Sequence, residues 1–249
     1  MPDHRLIACM KWGTRYGPAF ANRLYLAVRR QMKSPFRFLC FTDDTTGLLN
    51  EIECHPLPPI TLPPDIAETP WRKLSLWQSP LAGICDGDLL VLDLDLVITG
   101  PMDDFFTYAP GQFCVIENWS QPGKAIGNTS VFRMPIGQHT DIFEQFNADP
   151  ETVRRHFRIE QQYISTRLPD QKFWPASWCL SFKHSILPRF PLNWVKTPSL
   201  PPDARIIAFT GHPDPDEARD GHWPAPWYKK IYKHLRPTAW INDHWTDTP

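Results

Sequence analysis

The sequence predicts an α/β protein in which helices pack on a central sheet. Two observations lead to this fold class. Apolar runs of strand length alternate with stretches whose apolar residues recur at helical spacing, and the chain opens with the order strand, helix, strand. A chain of 249 residues with 42% hydrophobic residues is also long enough to bury one large core. We therefore predict one domain over residues 1–249, with 213–249 as a Pro- and Trp-rich C-terminal extension.

In the first third of the chain, apolar runs and prolines mark the predicted strands and helices. Leu6–Trp12 is an apolar run of strand length, and Pro18 then stands where a first helical turn tolerates proline. Phe36–Thr42 is predicted as the second strand and Ile52–Leu57 as a third, short one. After a Pro-rich loop, Trp71–Gln78 is predicted as a helix.

The remaining predicted elements continue the alternation. Asp- and Gly-containing turns separate apolar strands from amphipathic stretches with a helical period. The predicted strands are Leu89–Ile98, Phe113–Ile116, Asn128–Met134 and Arg205–Phe209, and the predicted helices are Asp141–Asn147, Glu151–Arg158 and Glu160–Thr166.

Charge and cysteine usage restrict the function classes. With 26 basic and 27 acidic residues, the chain has no bulk charge that would favour nucleic acid as a partner. No stretch approaches the ~20 apolar residues of a membrane span, and the N-terminus lacks a signal-peptide core. Six cysteines are spread singly without metal-type spacing, so we expect buried thiols in a reducing cytoplasm.

Two carboxylates lie inside the apolar run Leu89–Ile98. Strand alternation would place Asp93 and Asp95 on one face, roughly 6 to 7 Å apart. Because buried ionised carboxylates are costly without a cation, a divalent metal such as Mn²⁺ or Mg²⁺ is the expected partner. The alternative interpretation is that the two aspartates are only a turn signal at the end of a strand.

Polar residues in other segments fit a diphosphate beside this metal. Lys73, on the helix before the strand, would add the positive charge that a diphosphate requires. Asn128 stands at a later strand entrance with the hydroxyls of Thr129 and Ser130 beside it, and Glu160 and Gln161 add an acid and an amide from a helical segment.

In this order the segments resemble the retaining glycosyltransferases of the GT-A fold, specifically the glycogenin and bacterial lipopolysaccharide galactosyltransferase family. The closest match is Lys73-Leu74 followed by Val91–Val97 with its Asp-x-Asp, and then Met102–Phe106. The resemblance covers most of the chain. It implies a GT-A type, Rossmann-like layered α/β/α fold with a mostly parallel mixed sheet.

The resemblance also implies an activity and a site. The activity is metal-dependent hexosyl transfer, with retention, from a nucleotide-diphosphate sugar, UDP favoured, to a glycan, glycolipid or other acceptor. The implied catalytic residues are Glu160, Gln161 and Asn128; the nucleotide-sugar-binding residues are Trp12, Thr14, Tyr16, Lys73 and Asp93; and the metal ligands are Asp93, Asp95 and His212.

One metal ligand of this family is missing from the sequence. The family has a metal-binding histidine where this chain has Ala208, so either His212, a few residues on, or a water would complete the metal shell.

Two other functions remain open. An apolar Asp-x-Asp strand is also how haloacid-dehalogenase-type phosphatases present their nucleophile and acid, although usually on the first strand. A non-catalytic sugar-binding module would suit the aromatic C-terminal half. Trp227–Arg236 mixes cations with aromatics, as an interfacial helix does, and predicts either peripheral contact with the inner face of a membrane or a solvated helix whose aromatics pack on the domain. The sequence leaves the oligomeric state open.

Overall fold

A computed structural model describes residues 4–248, so residues 1–3 and 249 of the predicted domain lie outside the described part. The strands are β1 Arg5–Lys11, β2 Phe36–Thr42, β3 Glu53–Pro56, β4 Asp88–Leu92, β5 Leu96–Ile98, β6 Cys114–Glu117, β7 Gly127–Pro135, β8 Lys172–Phe173, β9 Cys179–Ser181 and β10 Ile206–Ala208. The α-helices are α1 Pro18–Gln31, α2 Asp104–Thr107, α3 Asp141–Ala148, α4 Pro150–His156, α5 Glu160–Arg167, α6 Pro215–Asp220 and α7 Ile241–His244. Shorter 3₁₀ helices span Pro64–Ile66, Pro70–Trp77, Leu192–Trp194 and Trp227–Lys229, and a π-helical turn spans Phe182–Ile186.

The main sheet has seven strands in the order β3-β2-β1-β4-β7-β6-β8. Strand β7 runs antiparallel to both of its neighbours, β4 and β6, and the other pairs are parallel. The layered fold with a mostly parallel mixed sheet is therefore confirmed. A second sheet has the order β5-β10-β9, in which β10 is antiparallel to β5 and parallel to β9.

Both faces of the main sheet are covered, as strand alternation requires. On one face Ile7 and Cys9 pack with the buried side of α1. On the other face Leu6, Ala8 and Met10 pack with the residues after β3, with α3 and with α5. The two faces of the main sheet are therefore packed in separate core clusters.

The prediction of one continuous strand over Leu89–Ile98 is wrong. The strand β4 ends at Leu92, and the chain then crosses to β5 in the second sheet. The backbone N–H of Asp93 still donates to the carbonyl of Ser130 at 2.9 Å, whereas the carbonyl of Asp95 accepts from Phe209 N at 3.0 Å. The three residues from Asp93 to Asp95 thus form the connection between the two sheets. Their period-2 pattern continues into β5 because β5 is also a buried strand, in another sheet.

The C-terminal extension packs on the second sheet. Ala218, Leu235, Ile241 and Trp245 are buried in one cluster with Val97 and Ile207 of that sheet. Two helices, α6 and α7, lie within the extension, although the sequence predicted neither. Residues 213–248 therefore contribute to the same hydrophobic cluster as the second sheet.

The predicted helix over Trp227–Arg236 is wrong, because only Trp227–Lys229 is helical, as a single 3₁₀ turn. The side-chain amide of buried Asn193 donates to the carbonyls of Tyr232 and His234, at 3.0 and 2.7 Å. These two carbonyls therefore accept from a side chain and not from the backbone N–H groups of a helix. The stretch over Trp71–Gln78 is also 3₁₀ and not the regular helix expected.

The cysteines differ in exposure. All six are free thiols, of which four are buried and Cys54 is half-buried. Cys85 is exposed, which corrects the expectation that every cysteine is buried. Within residues 4–248, no helix has the length and apolar character that crossing a bilayer requires.

Candidate functional site

A cavity of about 440 Å³ opens at the carboxyl ends of β1 and β4, where β7 begins. In open α/β sheets this edge is where ligands bind, since the loops that follow parallel strands meet there. Most of the residues predicted for the site line this cavity. They are Trp12, Tyr16, Lys73, Asp93, Asp95, Asn128, Glu160 and Gln161.

Lys73 and Asp93 form an ion pair in the wall of the cavity. The two charged groups are 2.5 Å apart, and Lys73 Nζ also donates to the carbonyl of Thr129 at 3.1 Å. The 3₁₀ helix Pro70–Trp77 holds Lys73 rigidly, because Trp71, Leu74 and Trp77 around it are buried. The ammonium group thus faces the cavity from a fixed position.

Asp95 is buried, and its polar partner is a tyrosine. Tyr16 OH donates to Asp95 Oδ2 at 3.1 Å, and no lysine, arginine or histidine of residues 4–248 forms an ion pair with the Asp95 carboxylate. Burial, and then the charge of Asp93, raise the pKa of Asp95 to about 7, although Lys73 and the Tyr16 hydrogen bond oppose the shift. This carboxylate is therefore held where a cation would be favourable.

The shifted carboxyl predicts a pH dependence of stability in metal-free buffer. Folded Asp95 keeps its proton up to a pKa of about 7, whereas unfolded aspartate releases it near pH 3.9, so the folded state holds more protons in that window. The free energy of unfolding should therefore fall as pH rises from about 4 to about 7. In thermal unfolding with EDTA, we expect the melting temperature of the Asp95→Asn protein, relative to that of the native protein, to increase as the pH rises across this window. A constant difference between the two melting temperatures from pH 4 to 8 would contradict the assignment.

The floor of the cavity is formed by the start of β7 and of α5. Glu160 is buried, its carboxylate accepts from Thr129 Oγ1 at 3.1 Å, and burial raises its pKa. Gln161 accepts from Asn118 Nδ2 at 3.2 Å. Asn128 turns its side-chain oxygen to the backbone N–H of Ser130 at 3.0 Å, so its amide nitrogen remains available as a donor.

Another group of charges lies beside Tyr16. Its hydroxyl is 3.4 Å from Asp214 Oδ1, and Arg15 is also 3.4 Å from that oxygen. His212 Nδ1 lies 2.9 Å from Glu217 Oε2 and 3.7 Å from Asp214 Oδ2. Across residues 4–248, one group of three His, Cys, Asp or Glu side chains has its possible metal-ligand atoms within 4.8 Å of one another. It consists of His212, Asp214 and Glu217. His212 thus faces these two acids and is not grouped with Asp93 and Asp95, and its role as a metal ligand stays a prediction.

The residues present at the cavity fit a divalent cation. Asp95 offers a buried carboxylate with no ion-pair partner among residues 4–248, and Asp93 offers a second carboxylate from the same three-residue connection. Carboxylate oxygen is the donor that Mn²⁺ and Mg²⁺ prefer. Asp93 and Asp95 are therefore the residues that would hold the metal.

The sequence prediction gave no site role to Arg15 or Thr210, and it noted Thr129 and Ser130 only as hydroxyls at a strand entrance. Arg15, Ser130 and Thr210 line the cavity, and Thr129 links Lys73 to Glu160. The available signal was adjacency, since Arg15 stands between two predicted residues and the others follow Asn128 or β10. Thr14, in contrast, is exposed and is not among the cavity-lining residues.

Comparisons with solved structures identify the fold. The galactosyltransferase LgtC, crystallised in complex with donor and acceptor sugar analogs, superposes with a TM-score of 0.59 at 15% identity, covering 84% of this chain and 88% of that chain. The apo form of the glycosyltransferase GlyE of Streptococcus pneumoniae TIGR4 superposes with a TM-score of 0.56 at 12% identity, covering 85% of this chain and 56% of that chain. No protein-family profile and no curated protein sequence matches the chain. The fold is that of GT-A glycosyltransferases, as the sequence predicted.

Proposed function

We propose that this protein is a metal-dependent hexosyltransferase that moves a sugar from a nucleotide-diphosphate sugar, UDP favoured, to a glycan, glycolipid or other acceptor with retention of configuration. The observation that carries the proposal is the buried Asp95 carboxylate, which has no ion-pair partner in the described part of the chain and lies beside the Lys73–Asp93 ion pair in one cavity. The glycosyltransferase fold supports it independently.

The charged wall of the cavity suits a diphosphate. When bound to Asp93 and Asp95, Mn²⁺ or Mg²⁺ would neutralise charge on the leaving phosphate. Lys73 supplies a further positive charge that does not depend on the metal, because it is held by Asp93 and the Thr129 carbonyl. Tyr16 fixes the orientation of the Asp95 carboxylate through its hydroxyl.

The loop after β1 is the candidate base site. Trp12 is half-buried and lines the cavity, so its ring can stack on a nucleobase. Tyr16 has its hydroxyl committed to Asp95 and its ring in contact with Arg15 and Phe20, so it would meet the nucleotide only through the part of the ring that lines the cavity. Thr14 is exposed, so any contact it makes with the nucleotide would be at the rim.

Glu160, Gln161 and Asn128 are the candidates to face the sugar. Glu160 is a buried acid at the floor of the cavity, where it could act as a nucleophile or stabilise positive charge at the anomeric carbon. The hydrogen bond from Thr129 orients the Glu160 carboxylate, and the bond from Asn118 orients the Gln161 amide.

A second hollow of about 260 Å³ is a candidate for part of the acceptor. It is lined by Asn118, which bonds to Gln161 of the first cavity, and by Trp119 and Trp174. Aromatic faces with nearby polar groups are suited to bind a sugar ring. A glycolipid acceptor would place the enzyme at the inner face of a membrane.

Thermal unfolding with nucleotide and metal tests the proposal. UDP with Mn²⁺ at 100 times its dissociation constant should stabilise the folded state by about 2.7 kcal/mol, and UDP with EDTA should stabilise it far less. UMP with Mn²⁺ is the matched control, because it lacks the second phosphate. A purified protein that gains nothing from UDP and Mn²⁺ but hydrolyses an aryl phosphate would be a phosphatase instead. A protein that binds free sugars and shows neither property would be a binding module.

A further inference from the structure

One carboxylate in the first cavity takes no part in the metal, diphosphate or sugar contacts described above. Glu68 lines this cavity together with Trp12, Thr69 and Pro70. Glu68 is exposed, and within residues 4–248 its carboxylate forms no hydrogen bond and no ion pair. A free acceptor group therefore lies in the same cavity as Trp12, the residue that we assign to base stacking.

The backbone around Glu68 is held in place by its neighbours. Thr69 donates to the carbonyl of Ile66 through its backbone N–H, at 3.0 Å, and through its hydroxyl, at 2.7 Å. The Arg72 guanidinium donates to the carbonyl of Ala67 at 3.1 Å. The turn that contains Glu68 is thus closed by hydrogen bonds on both sides.

The Glu68 carboxylate also lies against the loop after β1. Gly13 has a φ of +61°, and a Cβ at this position would collide with Glu68 Oε2. The Glu68 side chain therefore occupies the space that a side chain at position 13 would fill. The backbone N–H of Gly13 donates to Asp43 Oδ2 at 3.0 Å, so it is not available to Glu68.

The order of residues along the cavity wall places Glu68 toward the base. Lys73, which we assign to the diphosphate, follows Glu68 by five residues, or about 10 Å at the rise of a 3₁₀ helix. This separation is on the scale of a nucleoside. Proteins recognise an unpaired base by an aromatic ring that stacks on it and polar groups at its edge, and Trp12 and Glu68 supply one of each.

We propose that Glu68 selects the base of the nucleotide donor by accepting a hydrogen bond from a ring N–H. The inference rests on the proposed function, since it concerns the donor of the same cavity. A carboxylate accepts hydrogen bonds and donates none. Uracil N3 and guanine N1 each carry a hydrogen, whereas cytosine N3 and adenine N1 present a lone pair that the carboxylate repels. Glu68 therefore favours uracil or guanine over cytosine and adenine.

The experiment measures the dissociation constants of nucleoside diphosphates for the full chain by calorimetry, with Mn²⁺ and without an acceptor. UDP or GDP is expected to bind at least about tenfold more tightly than CDP and ADP, because a hydrogen bond to a charged group discriminates by this much. The tighter of the two is then compared with its N-methyl analogue, 3-methyl-UDP or 1-methyl-GDP. The methyl group replaces the ring hydrogen and should weaken binding about 10- to 100-fold.

Variants separate base recognition from a general effect of the charge. Glu68→Ala should weaken binding of the unmethylated diphosphate about tenfold without weakening that of its N-methyl analogue, so the two changes are coupled. The matched control is Glu144→Ala, an exposed acid on α3 that does not line the cavity, and it should leave every constant unchanged. Equal melting temperatures would show that both variants fold.

Three outcomes would overturn the inference. The first is tightest binding of CDP or ADP, and the second is an equal loss for both analogues in Glu68→Ala. The third is a loss in Glu68→Ala that disappears with the 2′-deoxy diphosphate, which would assign Glu68 to the ribose. Absence of binding by all four diphosphates would refute the proposed function together with this inference, whereas binding that ignores the ring N–H would refute this inference alone.

Discussion

Replacing Asp95 with asparagine is expected to reduce sugar transfer by at least about 1,000-fold in kcat/KM, or about 4 kcal/mol of transition-state stabilisation. The substitution keeps the shape of the side chain and its contact with Tyr16 but removes the buried negative charge that would hold the cation. The measurement is UDP release from a panel of UDP-sugars across a Mn²⁺ titration. Stabilisation of the protein by UDP with Mn²⁺ should be lost in parallel.

Loss of activity in this variant would not reflect unfolding. Because burial raises the pKa of Asp95 to about 7, removing its charge should make the metal-free protein more stable at neutral pH. The matched control is Asp86→Asn, an exposed aspartate that precedes β4 and does not line the cavity, which should keep full activity. Full activity of Asp95→Asn with Mn²⁺ would disprove the metal site.

Lys73→Met is expected to lower kcat/KM by about 100-fold or more, through both a higher KM for the donor and a lower kcat. The variant keeps a long apolar stem but removes the ammonium group that Asp93 and the Thr129 carbonyl fix at the cavity. Since Asp93 would lose its partner, the free energy of unfolding should fall by about 1–3 kcal/mol.

Two comparisons distinguish a diphosphate-binding lysine from a merely structural one. Lys73→Arg keeps the charge, so it should restore much of the stability but less of the activity, because the wider guanidinium does not fit the same pair of contacts. Arg72→Met, next in the chain and bound to the carbonyl of Ala67, should leave the KM for the donor unchanged. A Lys73→Met protein with an unchanged KM would restrict Lys73 to a structural role.

Local sequence pattern predicted the main sheet well, because each of its longer strands is a buried apolar run with turn residues at both ends. Phe36–Thr42 has its observed bounds for that reason. The same pattern failed at Asp93 and Asp95, where apolar alternation runs through two strands of different sheets. The strand β4 ends before Asp93, as the strand-end alternative required, and both aspartates line the cavity, while their role as metal ligands stays a prediction.

The contacts beside Tyr16 could not be predicted in the same way. Asp214 reaches Tyr16 and Arg15 only because α6 packs against the second sheet, and those residues are about 200 positions apart in the sequence. Asp214 forms a capping box with Glu217 at the start of α6, a helix that the sequence did not predict. Nothing local therefore indicates its second partner, which is set by tertiary packing.

The connection from Asp93 to Asp95 places the proposed metal site at the junction of two sheets that share one core cluster. Asp93 is tied to the main sheet through Ser130, whereas Asp95 is tied to the second sheet through Phe209. The spacing of the two carboxylates is thus a measure of how the sheets sit against each other. Any loosening of the C-terminal packing around Leu235 and Trp245 would be transmitted to that spacing, so metal affinity would report on the integrity of a region that contributes no ligand.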